Sequence, residues 1–191
     1  GSVDLRSRVL VAGVVPPPRF GREAEVMASA AAVDASGADL VDVSLPPRLI
    51  GPVARGAATT VAVRAGTLDQ VAAARRAGAQ VVMVPPSLID EATGNPGDDG
   101  PALVLVVDDL ADLVSARVVA RRARVPLALD STRMPSVDAM ANEAAAIAGG
   151  VRVIRTTDVR RSRRVAEVMA AILAARRPSA TAIADQTASA S

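Results

Sequence analysis

Short apolar runs alternate along the chain with longer segments in which apolar and polar residues recur at helical spacing. The runs are rich in β-branched residues and carry few charges, which is typical of strands buried on both faces. Seven of them are predicted as strands: Val9–Val15, Leu40–Ser44, Thr59–Ala65, Val81–Val84, Leu103–Val107, Leu127–Leu129 and Val151–Arg155. Because helical segments separate these runs, they indicate parallel βαβ units.

Five segments are predicted as helices, and several end at a glycine that favours termination. They are Glu23–Ser36, Leu68–Ala77, Leu110–Ala123, Val137–Ala148 and Val159–Arg176. The segments Pro46–Ala58 and Pro85–Pro101 contain Pro and Gly where crossover helices would be expected. We therefore expect apolar strand faces to lack cover there and to invite a protein partner or a second copy of the chain.

The chain divides into a lead over residues 1–8, one domain over 9–177 and a tail over 178–191. Gly1-Ser2 is typical of residues left by cloning. The tail is rich in Ser, Thr and Ala and has no periodic apolar face, so we expect it to be disordered. Its role stays open.

Seven parallel strands fit either an open doubly wound sheet or a barrel. A doubly wound sheet that binds a dinucleotide needs a Gly-rich turn after its first strand. This chain has Val14-Val15-Pro16-Pro17-Pro18 at that point, which offers few backbone N–H groups to a pyrophosphate. The pattern favours an α/β fold of the shortened or incomplete (β/α)8 TIM-barrel type, with about seven parallel strands.

The composition narrows the available chemistry. All 22 basic residues are arginine, and the 191 residues include no histidine, cysteine, lysine, tryptophan or tyrosine. Imidazole bases, thiol nucleophiles, Schiff bases and His- or Cys-based metal sites are excluded. Any catalysis must rely on Asp, Glu, Ser, Thr, Asn and Arg. We assign no metal site, no cofactor and no catalytic residue.

The charge balance and the apolar pattern also limit the partners. The pI of about 10.7 reflects missing titratable groups, since the net charge is only +2. Phe20 is the one aromatic residue, so stacking platforms for nucleic acid are absent. No apolar run reaches the roughly 20 residues of a membrane helix. We expect a cytoplasmic protein that binds neither nucleic acid nor membrane.

Arginines near strand ends are the main candidates for binding. Arg155 closes the last predicted strand, at the face where barrel active sites assemble. It could bind an anion together with Arg64 and Arg133. Alternatively, it pairs with Asp158 or with another carboxylate and has only a structural role.

Acidic residues in or after predicted strands can be interpreted either as site residues or as structural residues. Asp42 lies within an apolar strand, as a pocket carboxylate or as a structural acid, and we favour the structural role. Asp108 and Asp109 could bind a metal together. Asp109 is better explained as the N-cap of the helix at Leu110, whereas Asp108 remains a site candidate.

Two charged segments have simple interpretations. The run from Arg160 to Arg164 could hold an anion or an acidic partner, but a solvated helix face is the favoured interpretation. The segment from Asp90 to Gly100 lacks the alternating oxygen ligands and closing glutamate of a calcium loop. We predict a surface loop there.

Five motifs, in the right order, resemble those of the dihydropteroate synthases, which are pterin-binding TIM-barrel enzymes of folate biosynthesis. The last, G-V-R-V-I-R-T-T-D-V, resembles the family's final strand, and G-A-D-L-V-D-V resembles its second strand. The resemblance spans about residues 9 to 176. Its motifs lie at Pro16–Phe20, Gly37–Val43, Ala77–Val82, Ser131–Met134 and Gly150–Val159.

The resemblance also implies which binding positions have changed. The family's asparagine near diphosphate and magnesium falls at Val14, and its pterin-binding aspartate falls at Arg64. Its fourth-strand Asn-Asp falls at Met83-Val84, its pterin-contacting lysine at Met134, and its diphosphate-binding histidine at Thr157. The residues that remain are Arg155, Asp158, Arg133 and, in a looser alignment, Asp108.

A buried pterin whose donors lack partners loses about 1–3 kcal/mol of binding free energy for each unpaired group. We therefore expect a dihydropteroate-synthase-like protein without synthase activity, used as a non-catalytic binding or assembly module. The alternative is an enzyme with a reduced site for a phosphate or pterin-like molecule, formed by Arg155, Arg64, Arg133, Asp108 and Asp158.

Overall fold

Seven parallel strands form a closed barrel in the computed structural model, which describes residues 5, 8–17, 22–43, 47–93 and 100–176. Each strand pairs with the next along the chain, and the first pairs with the last. The strands are β1 Leu10–Val14, β2 Leu40–Asp42, β3 Thr60–Arg64, β4 Val81–Val84, β5 Ala102–Val107, β6 Leu127–Asp130 and β7 Val153–Thr156. All seven predicted strands and the shortened TIM-type barrel are confirmed. The predicted tail lies outside the described residues.

Helices surround the barrel on its outside. They are α1 Glu23–Ala35, α2 Pro47–Gly56, α3 Leu68–Arg76, α4 Ile89–Ala92, α5 Leu113–Ala123, α6 Ser136–Ala148 and α7 Val159–Ala175. Single turns of 3-10 helix precede α4 and α5, at Pro86–Leu88 and Leu110–Asp112. The five predicted helices are confirmed. None of the helices in the described ranges combines the length and the apolar character that crossing a membrane requires.

The prediction that Pro46–Ala58 lacks a crossover helix is wrong, because α2 forms there. Its first residue is a proline, and the first helical position tolerates proline since the N–H there has no partner in the helix. Leu49, Ile50 and Val53 are buried, and burial of this apolar face outweighs the cost of Pro52 within the helix.

The second segment expected to leave strands uncovered, Pro85–Pro101, also contains helical structure. Its 3-10 turn and α4 bury Ile89 and Ala92 against the barrel. The remainder of the segment, over residues 94–99, lies outside the described residues. The strands at these two crossovers are therefore covered by α2 and by α4.

The core has an inner and an outer layer. The outer layer lies between the strands and the helices, and Gly13 of β1 allows close approach there, because an added Cβ would lie 2.4 Å from Val33 Cγ1 of α1. The inner layer fills the barrel with side chains that alternate along each strand. It consists of Leu5, Leu10, Ala12, Leu40, Ala62, Val81, Met83, Val104, Val106, Ala128 and Val153.

Charged residues lie next to this inner apolar layer, at the carboxyl ends of the strands. Side chains on a strand repeat their direction every second residue. The residues two positions beyond Leu40, Ala62, Ala128 and Val153 therefore also face the barrel axis, at its carboxyl end. They are Asp42, Arg64, Asp130 and Arg155.

Candidate binding site at the mouth of the barrel

Arg155 is the central group of the mouth and is buried, with 8% of its side chain exposed. Its Nε donates a hydrogen bond to Asp42 Oδ2 at 2.6 Å, and one terminal nitrogen donates to Asp130 Oδ2 at 2.7 Å. The same terminal nitrogen lies 3.3 Å from Thr132 Oγ1. The guanidinium therefore links β7 to carboxylates on β2 and β6.

Arg64 of β3 shares one of these carboxylates. It donates to Asp130, and its other terminal nitrogen donates to Asp108 at 2.8 Å. Asp130 is further held by Thr132, whose N–H and hydroxyl donate to Oδ1 at 3.0 and 2.7 Å. Two guanidiniums and three carboxylates thus form one connected network.

Burial and neighbouring charges shift the pKa values of this network in different directions. Burial raises the pKa of Asp42 above its ordinary value, and the adjacent Arg155 only partly offsets that effect. Burial acts the same way on Asp130, but the bonds from Thr132 and the charges of Arg155 and Arg64 outweigh it, so its pKa is lowered. Burial tends to lower the pKa of Arg64, and Asp108 and Asp130 reverse that effect and raise it.

A cavity of about 460 Å³ opens above the network. Arg64, Arg133 and Arg155 line it together with Thr132. Four of the five predicted site residues therefore lie at the mouth: these three arginines, and Asp108 through its bond to Arg64. Arg133 is exposed at the rim.

Asp158, the fifth predicted site residue, lies apart from the network. It is the N-cap of α7, and its Oδ1 accepts a hydrogen bond from the backbone N–H of Arg161 at 3.1 Å. Arg155 is paired instead with Asp42 and Asp130. The predicted cap role of Asp109 is confirmed, since its Oδ1 accepts a bond from the N–H of Ala111 at 3.0 Å.

The predicted solvated face from Arg160 to Arg164 is only partly correct. Arg161 donates to Glu143 at 3.3 Å, and Arg163 donates to the carbonyl of Gly37 at 2.6 Å. These side chains are bound because the first turn of α7 packs against α6 and against the turn after α1. Arg160 and Arg164 are exposed, as predicted.

Glu143 of α6 is a buried acid that the sequence analysis did not identify. Its Oε1 accepts hydrogen bonds from Ser131 Oγ at 2.7 Å and Ser162 Oγ at 2.9 Å, so it connects α6 with α7 and with the end of β6. One signal was available in the sequence. Glu143 lies four residues after Ala139 and three before Ala146, on the face of α6 that packs on the barrel.

Among the residues that the structure describes, no group of three or more acidic side chains is arranged to hold a metal ion. Asp90, at the start of the segment considered as a calcium loop, forms an ion pair with Arg122 on α5. Asp108 and Asp109 face different partners, namely Arg64 and the start of the 3-10 turn.

The buried ion pair predicts a large loss of stability when its cation is removed. Arg155→Ala leaves Asp42 and Asp130 buried without the guanidinium, so the free energy of unfolding should fall by about 3–5 kcal/mol. Arg133→Ala removes a cation from the exposed rim and should change it by no more than about 0.5 kcal/mol. Urea unfolding followed by circular dichroism measures both. Equal losses in the two variants would contradict this assignment.

The lowered pKa of Asp130 predicts a pH dependence. The ionised carboxylate stabilises the fold fully above its ordinary pKa of 3.8, and this stabilisation is lost as the pH falls through the lower folded value. Asp130→Asn should therefore cost at least about 2 kcal/mol of unfolding free energy near pH 7, and progressively less as the pH falls below 3.8. Urea unfolding of both proteins across this range measures the difference. Asp108→Asn, at an exposed position, is the control and should lower the unfolding free energy by less. If the loss in Asp130→Asn stays constant with pH, the role of Asp130 is refuted.

Comparison with known proteins identifies similar folds. No protein-family model matches the sequence, and no curated protein matches it. Dihydropteroate synthase from Yersinia pestis in a sulfonamide drug complex superimposes with a TM-score of 0.67 at 16% identity, covering 91% of this chain and 97% of that one.

Two further solved structures give the same result. The 7,8-dihydropteroate synthase of Vibrio fischeri ES114 has a TM-score of 0.66 at 12% identity, over 92% of this chain and 96% of that one. The Burkholderia cenocepacia enzyme complexed with 7,8-dihydropteroate has a TM-score of 0.65 at 16% identity, over 91% and 94%. The fold of this chain is therefore similar to that of the dihydropteroate synthases, as the five motifs predicted.

Proposed function

We propose that this protein is a non-catalytic relative of the dihydropteroate synthases that serves as a binding or assembly module. The observation that carries the proposal is the pairing of two mouth cations, the buried Arg155 and the partly buried Arg64, with carboxylates of the same chain. Arg155 and Arg64 face Asp42, Asp108 and Asp130, so the network itself has an excess of negative charge. A diphosphate entering the cavity would have to compete with these carboxylates.

The carboxylates of the network are likewise occupied by hydrogen bonds from the arginines. Asp42 and Asp130 accept charged hydrogen bonds from Arg155, and general base catalysis by either would require breaking a buried ion pair. Met83 fills the inner barrel layer, at a position where the resembled enzymes carry the asparagine of their fourth-strand Asn-Asp. These features favour loss of synthase chemistry.

The alternative is an enzyme with a reduced site for an anionic or pterin-like molecule at this mouth. It is supported by the cavity of about 460 Å³, whose lining includes Thr132 and the exposed Arg133. This volume falls within the range of small-molecule sites. The two functions differ in whether a pterin diphosphate binds there.

Titration calorimetry with dihydropterin pyrophosphate, with and without magnesium, distinguishes the two functions. For the non-catalytic module we expect no binding of this ligand that depends on Arg133, because the other two cations at the mouth are already paired with carboxylates. Micromolar binding that disappears in Arg133→Ala, a variant that should remain folded, would contradict the loss of the ligand site at the mouth and favour the enzyme alternative. Arg160→Ala, which removes an exposed arginine from α7, is the matched control.

The assembly role rests on exposed apolar side chains of three successive helices. Val114 and Val137 are 78% and 79% exposed, on α5 and α6, and Val168 of α7 is 58% exposed. Met140 and Ile172 are also exposed, on α6 and α7. Large apolar side chains exposed on successive helices favour association. The proposed partner is a second copy of the chain, and the contact lies on these helices rather than at the strand crossovers first considered.

Light scattering tests the assembly role. The protein should have at least twice the monomer mass of 19.3 kDa, and a double variant carrying Val137→Glu and Val168→Glu should shift to the monomer because the new charges cannot be buried. Arg160→Glu, a charge change on the exposed side of α7, should leave the mass unaltered. A monomeric unmodified protein at tens of micromolar would remove the assembly role.

A further inference from the structure

A second cavity, of about 490 Å³, lies at the opposite end of the barrel from the mouth. It is bounded by the last turns of α5, the loop that leads into β6 and the turn before β7. Its walls carry four arginines, Arg117, Arg121, Arg124 and Arg152. Apolar residues, among them Leu127 at the start of β6, complete the lining. We call it the amino-end pocket.

The four arginines come from two separate parts of the chain. Arg117, Arg121 and Arg124 lie four and three residues apart, which places them on one face of α5 and its end. Arg152 comes from the turn before β7 and lies next to them only because β6 and β7 pair. The helix dipole favours cations in the last turn of α5, but it does not account for Arg152.

No carboxylate is among the described residues that line the amino-end pocket. Within the described ranges, Arg117, Arg121 and Arg152 form no ion pair. Arg122, one residue along the same helix, points elsewhere and pairs with Asp90. The described lining of the pocket is therefore cationic through Arg117, Arg121 and Arg152, in contrast to the network at the mouth, where three carboxylates face two guanidiniums.

The backbone of Arg124 provides a second, independent observation. It has φ 57° and ψ 32°, the left-handed conformation that favours glycine. Helices α3 and α6 end with the same pair of backbone hydrogen bonds, and there the left-handed residue is Gly78 or Gly150. At the end of α5 an arginine occupies this strained position, and the same arginine lines the amino-end pocket.

We propose that the amino-end pocket binds a small organic phosphate that carries at least two negative charges. Guanidinium groups bind phosphate oxygens in pairs of parallel hydrogen bonds, and several arginines around one cavity suit a diphosphate or a phosphate ester. The apolar lining accepts a small apolar portion of the ligand. None of the described residues that line the pocket is aromatic, so they provide no platform on which a nucleobase could stack.

Calorimetric titration with inorganic pyrophosphate, at low and constant ionic strength, tests the proposal. Pyrophosphate should bind at least about tenfold more tightly than sulfate, because two adjacent phosphoryl groups engage more guanidiniums. Arg121→Gln and Arg152→Gln should each weaken pyrophosphate binding about tenfold. Arg122→Gln makes the same charge change one residue away and should leave the affinity unaltered.

Arg124→Gly separates a binding role from a structural one. Glycine relieves the left-handed backbone, so the thermal unfolding midpoint should be unchanged or higher, whereas pyrophosphate affinity should fall at least about fivefold. A lower midpoint with unaltered affinity would contradict the role assigned to this side chain.

Three results would overturn the pocket itself. The first is equal affinity for pyrophosphate and sulfate, which would indicate nonspecific charge attraction. The second is an equal loss of affinity in Arg122→Gln and Arg121→Gln. The third is pyrophosphate binding that is lost in Arg133→Ala but kept in Arg121→Gln, which would place the anion at the mouth.

Discussion

The pairing of buried Arg155 with Asp42 and Asp130 is the constraint on which the upper end of the barrel depends. A guanidinium at this depth is tolerated only with charged partners, and both partners are themselves buried at the top of the apolar filling. The pairing determines where Arg64 and Thr132 lie, because both bind the same Asp130. The carboxylates of the chain itself thereby neutralise the guanidiniums at this end of the barrel.

Much of the fold could be predicted from the sequence, because buried parallel strands are nearly uniform apolar runs. Each of the seven runs became a strand, and the proline-rich turn after β1 correctly favoured the barrel over the doubly wound sheet. The segment over 47–56 was misjudged for a clear reason. Local propensity counts Pro52 and the glycines against a helix, whereas the burial of Ile50 and Val53 depends on a sheet that is not visible in the local sequence.

The site was predicted less completely than the fold. Arg155, Arg64 and Asp108 were identified because charges at strand ends stand out. Asp130 and Glu143 were not, since one follows a short strand and the other lies in an alanine-rich helix. Pairing Asp42 with Arg155 requires the three-dimensional barrel, because 113 residues separate them. Alternation along the strands would nevertheless have placed Asp42, Arg64, Asp130 and Arg155 in a single inward-facing layer.

The closure of the barrel by β1 and β7 has a consequence for how the protein is made. The chain leaves the ribosome from its amino end. Strand β1 and Asp42 therefore emerge long before β7, which pairs with β1, and Arg155, which binds Asp42. Before β7 emerges, the first six strands would have two unpaired edges, at β1 and β6, and Asp42 would lack its cation. A nascent chain of this protein is therefore expected to gain its stability late, and to depend on protection from aggregation until its last strand is available.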